Sequence, residues 1–105
     1  MWQRLLQGGS GQKIKFDTFT NTSSGVTVDV GFKPRTLCMV TSTNNILNYY
    51  DENISTTNFY FGAGGTPVSF TALGGTNGSR LKSINDNGFT INGGNVATYN
   101  YVAIG

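Results

Sequence analysis

Histidine is absent from this chain of 105 residues, and cysteine occurs once, at Cys38. The first absence removes the usual general base near neutral pH and the commonest neutral metal ligand. Ser-His-Asp triads and histidine-based zinc sites are excluded with it. The second rules out an intrachain disulfide and a thiolate metal cluster, so stability rests on packing. Cys38 stands within Leu37-Cys38-Met39-Val40, where a small buried apolar side chain is expected rather than a reactive thiol. No cofactor is indicated.

Charge is also scarce. Only 11% of residues are charged, and the formal net charge of +2 comes from bases scattered between Arg4 and Lys82. No basic stripe exists to neutralise a row of phosphates, so nucleic acid is not an expected partner. No apolar run is long enough to cross a bilayer, and Met1-Trp2-Gln3-Arg4-Leu5-Leu6 is too short for a signal peptide. Membrane insertion is not expected.

What the chain has instead is uncharged polarity and aromatic mass. Gly, Ser, Thr and Asn dominate the polar residues, and seven Phe, five Tyr and one Trp supply hydrophobic bulk. Disordered chains of low hydrophobicity carry high net charge and few aromatics, so this one folds, as one domain with a single modest core. Trp2 to Gln7 has modest helical character. Gly8-Gly9-Ser10-Gly11 then ends any helix. Residues 1–12 are therefore expected to be an N-terminal arm or short helix, with Trp2, Leu5 and Leu6 spaced as one apolar stripe, and residues 13–105 a separate body.

From Lys13 onward the hydrophobic period is two. Ile14 and Phe16 alternate with Lys13, Lys15 and Asp17, and Val26, Val28 and Val30 alternate with Thr27 and Asp29. The two segments are expected to pair across the turn Asn21 to Gly25. Pro34 changes the chain direction. Leu37 to Val40, apolar throughout, reads as a central strand covered on both faces. Ile46 to Tyr50, Phe59 to Phe61, Val68 to Leu73, Arg80 to Ile84, Phe89 to Ile91 and Ala97 to Ile104 read as further short strands. The spacing predicts an all-β fold, a small antiparallel β-sandwich of jelly-roll-like character. Asn85-Asp86-Asn87-Gly88 reads as a hairpin turn with positive φ at Gly88. A calcium loop would need spaced carboxylates and a terminal Glu that are missing here.

The order Val30-Gly31-Phe32-Lys33-Pro34-Arg35, Tyr49-Tyr50-Asp51, Ser83 to Ile91, and Tyr99-Asn100-Tyr101-Val102-Ala103-Ile104-Gly105 resembles the small β-sandwich domains at the C-terminal ends of bacteriophage tail-fibre, receptor-binding and other virion appendage proteins. The resemblance covers residues 13–105. It implies a non-enzymatic protein of the virion, often trimeric, with distal loops on the host surface or on another virion component. It also implies that the N-terminal arm meets other virion proteins. No catalytic set carries over.

Amides, hydroxyls and aromatic rings together suit carbohydrate, because rings stack on sugar CH groups while polar groups bond sugar hydroxyls. The candidate glycan-binding residues are Tyr49, Tyr50, Asp51, Asn53, Asn58 and Tyr60, with the loops over Tyr49 to Asn58 and Gly62 to Pro67 as the expected contact region. The alternatives are that half of these tyrosines pack in the core or at a subunit interface, and that the protein is a purely structural virion component such as a capsid decoration, head fibre or fibre tip. An enzyme ranks last. Asp51, Glu52 and Asp86 are the only tempting acids, and neighbours on a strand point to opposite faces.

Overall fold

The computed structural model describes residues 12–41 and 45–105, so the arm or helix expected over residues 1–12 lies, apart from Gln12, outside the described residues. The described residues form nine strands, β1 (Ile14–Thr20), β2 (Val26–Asp29), β3 (Thr36–Thr41), β4 (Ile46–Asp51), β5 (Asn58–Gly62), β6 (Ser69–Ala72), β7 (Leu81–Asn85), β8 (Gly88–Ile91) and β9 (Thr98–Ile104). They make two antiparallel sheets, a six-stranded one ordered β1-β9-β3-β4-β5-β6 and a three-stranded one ordered β2-β8-β7. Each strand expected from the alternation pattern is present. The fold is a small all-β sandwich.

Between the sheets lie Leu37, Met39, Tyr50, Phe59, Phe61, Tyr99, Tyr101 and Ala103 from the larger sheet and Leu81, Phe89 and Ile91 from the smaller. Phe89 meets Phe19 and Tyr101 edge to face, with ring centroids 5.5 and 5.4 Å apart, the arrangement favoured by ring quadrupoles. Asn48 ties the layers by polar bonds as well. Its buried amide donates to the Ser79 carbonyl at 3.0 Å and accepts from the Leu81 N–H at 2.9 Å.

Several expectations are corrected. β1 and β2 do not pair with each other: β1 pairs with β9 and β2 with β8, in different sheets, so the turn after Asn21 carries the chain from one layer to the other. The inward face of β1 also differs from the expected one. Phe19 packs against the core, so residues two apart from it, Asp17 and Lys15, share its face. Phe16 points outward and is 77% exposed. β3 is central in its sheet but covered on one face only. Leu37 and Met39 are buried, Cys38 is half-buried and Val40 is 42% exposed. Val102 and Ile104 flank buried Ala103 and are themselves half-buried.

Asn85 to Gly88 is a turn, closing the β7–β8 hairpin with Asn85 paired to Gly88. Gly88 does not have a positive φ, and neither do Asp86 and Asn87. Glycine is needed there for another reason. A Cβ at Gly88 would stand 1.8 Å from the Val28 carbonyl oxygen on the neighbouring strand. Among the glycines that do have positive φ is Gly31 (94°), which follows β2 and starts the crossing through buried Pro34 to β3.

Candidate functional site

The outer faces of the two sheets differ in chemistry. On the smaller sheet the outward side chains bond to one another: Thr27 and Thr90 hydroxyls lie 2.9 Å apart, Asn85 donates to the Thr90 hydroxyl at 3.0 Å, and Ser83 donates to Asn85 at 2.9 Å. That face is polar and internally satisfied. On the larger sheet the register aligns Phe16, Val102, Cys38, Tyr49, Tyr60 and Phe70, one from each strand, in a single row across the outer face. Cross-strand neighbours of this kind are close enough to touch.

The row divides into halves of different character. Over β4, β5 and β6 it is an aromatic ladder. Tyr49 stacks on Tyr60 with centroids 6.3 Å apart, and Tyr60 meets Phe70 at 4.9 Å. The Tyr49 hydroxyl donates to Asp51 Oδ2 at 3.3 Å. Burial, and then the charge and hydrogen bond of Asp51, push the Tyr49 phenol above its ordinary value, so it remains a neutral donor through the neutral range. Over β1, β9 and β3 the lining is mostly apolar: Phe16, Cys38, Val40, Tyr101 and Val102, together with Asn100, line a shallow groove of about 240 Å³. Burial pushes the Cys38 thiol up, away from the thiolate form.

The expected site residues separate accordingly. Tyr49, Asp51, Asn58 and Tyr60 alternate outward on β4 and β5 and share the ladder face. Tyr50 does not. It pairs with Leu37, is 4% exposed and belongs to the core, because odd and even positions of β4 face opposite ways. Asn53 lies in the β4–β5 loop, where its N–H donates to Asp51 Oδ1 at 2.9 Å. The Asn58 side-chain oxygen accepts from the Thr57 hydroxyl at 2.8 Å. The two loops expected to act together bracket the single strand β5, and so emerge from opposite ends of the sheet. They cannot form one site. Phe16, Val40 and Phe70 were missed as surface residues; their outward placement follows from their register with Val102, Leu47 and Tyr60 on neighbouring strands, which the sequence pattern does not contain.

Asp51 and Glu52 are engaged separately, Asp51 by Tyr49 and Glu52 by an ion pair with Arg35 at 2.8 Å. Among the described residues no group of three or more acidic or cysteine side chains stands together as a metal cage. No protein-family model, curated protein or solved structure matches the chain.

Proposed function

We propose that this protein is a non-enzymatic adhesion domain of a phage virion appendage, of the tail-fibre or receptor-binding kind, which binds host-surface glycan on the outer face of its larger sheet. One observation carries the reading: Tyr49, Tyr60 and Phe70 form a continuous ladder at the solvent-facing side, with Asp51 and Asn58 beside it. Ring faces stack on the CH side of a pyranose, and an adjoining carboxylate and amide accept and donate to its hydroxyls. The contact area is shallow, so single sites bind weakly, and copies on one appendage raise the avidity by about 10²–10⁴.

The apolar half of the same face supports a homo-oligomer, a trimer in the appendage setting. Phe16 at 77% exposure, Val40 and the groove they border form a surface that a second copy would remove from water. The same observation favours the second reading, a purely structural virion component in which the whole face is covered by neighbours.

A glycan array probed with the multivalent full chain distinguishes the two. Tyr49→Ala and Tyr60→Ala are expected to lower binding about tenfold and stability by only about 0.5–1.5 kcal/mol, the worth of a ring stack, while Tyr50→Ala, which empties a core position, lowers stability by about 3 kcal/mol or more. Absence of binding to every glycan, together with regular virion labelling, would replace adhesion by the structural reading.

A further inference from the structure

Away from the ladder, a groove of about 400 Å³ is lined by Ile46, Phe61, Ala63, Ser79, Arg80 and Asn95, with Gly64 and Gly78 at its rim. Its one charged group is held in an unusual way. The Arg80 guanidinium lies over the Phe61 ring, 4.0 Å from the centroid, and Nη1 donates to the Gly78 carbonyl at 3.2 Å. Lys15 and Arg35 each have an acidic partner; among the described residues no carboxylate pairs with Arg80, nor with Lys13, Lys33 or Lys82, but of these four only Arg80 is stacked on a ring and lines this groove. A stacked guanidinium is fixed in orientation, and with one Nη1 donor engaged by Gly78 it keeps its other in-plane N–H groups to donate. Such a fork matches the two oxygens of a carboxylate.

The walls are built to hold position. Ser79 is buried with φ at 62°, and its hydroxyl accepts from the Asn95 N–H at 3.0 Å. The other non-glycine residue with positive φ among the described residues, Asn45 at 49°, immediately precedes Ile46 in the groove wall. Backbone of this kind gathers at ligand sites, where the surrounding structure maintains it. Ile46 and Ala63 give the groove an apolar side, and Ser79 and Asn95 give it a polar one. The volume suits one sugar ring.

We infer that this groove is a second binding site, which takes the carboxylate of an acidic sugar on Arg80 while the ring rests against Ile46 and Ala63. It is separate from the outer face, since neither Phe61 nor Arg80 lies in the ladder row, and it differs in salt response. Binding at an unpaired cation weakens as salt screens it, whereas the ladder carries little charge.

The test is an amide-resolved NMR titration of the full chain with sodium glucuronate, glucose and sodium acetate, each to about 50 mM, enough to saturate a millimolar site. Glucuronate is expected to shift the Ser79, Arg80 and Asn95 amides saturably, with glucose and acetate at least tenfold weaker. Arg80→Gln should lower glucuronate affinity at least tenfold, Arg80→Lys severalfold, and Tyr60→Ala not at all. If Arg80→Gln fails to fold, Arg80→Lys, which keeps the charge and loses the fork, decides. No saturable shift, acetate or glucose equal to glucuronate, or an Arg80→Lys affinity equal to wild type would overturn the inference. Loss of glycan adhesion in Tyr60→Ala with the glucuronate shifts intact would separate failure of one site from failure of the other.

Discussion

At Gly88 one added carbon meets a backbone oxygen of the adjacent strand, and no rotamer change can relieve a backbone clash. Gly88→Ala is therefore expected to destabilise by about 3 kcal/mol or more, in the range of overpacked cores and distorted ladders. At Gly31 the space is open but φ is 94°, so Gly31→Ala is expected to cost about 1–2 kcal/mol, the penalty of left-handed backbone for a residue with Cβ. Chemical denaturation of both variants checks the order. A similar contrast holds on β3. Met39→Asp buries a charge and should unfold the chain, while Val40→Asp, on the outer face, should change the stability of the single chain by less than about 1 kcal/mol. A Val40→Asp variant that fails to fold would contradict the one-sided burial of this strand.

The strands themselves were legible because alternation needs only local sequence, and each expected run became one of the nine. Their partners were not. Nothing in Ile14 to Thr20 specifies that it pairs with Thr98 to Ile104 rather than with Val26 to Asp29, since register and neighbour are chosen by burial of a shared face. That missing information also decided the site. Period two places Tyr49 and Tyr50 on opposite faces, yet only the pairing shows that Tyr49 joins Tyr60 and Phe70 outside while Tyr50 joins Leu37 within. The tie between layers is open to a direct test. Asn48→Leu would leave the Ser79 carbonyl and the Leu81 N–H without their buried partner, for an expected loss of about 2–4 kcal/mol, measured by denaturant titration.

For the molecule as a whole, the tyrosines set the pH response. Burial raises Tyr49, Tyr50, Tyr99 and Tyr101 above the ordinary value of 10.0 and Cys38 above 9.0. A raised value in the folded state means that the folded form binds the proton more tightly. Stability is thus fully present below pH 9 and declines as pH rises through 9 to 10 and beyond. With no histidine, the melting temperature should be level from about pH 6 to 8; a slope there would contradict this. Phe16→Ser with Val40→Ser should shift sedimentation toward monomer if the apolar half of the outer face is covered by another copy. The position of β9 bears on how the molecule is made. β9 lies between β1 and β3, and the pairs Ile14–Ile104 and Thr36–Ile104 close spans of 90 and 68 residues. On a translating ribosome β1 emerges early and has no sheet neighbour until residues 98–104 have left the exit tunnel. The β1-β9-β3 half of the larger sheet is therefore joined only after residues 98–104 emerge, whereas β3, β4, β5 and β6, which follow one another in the chain, can pair before then and carry the Tyr49, Tyr60 and Phe70 row with them.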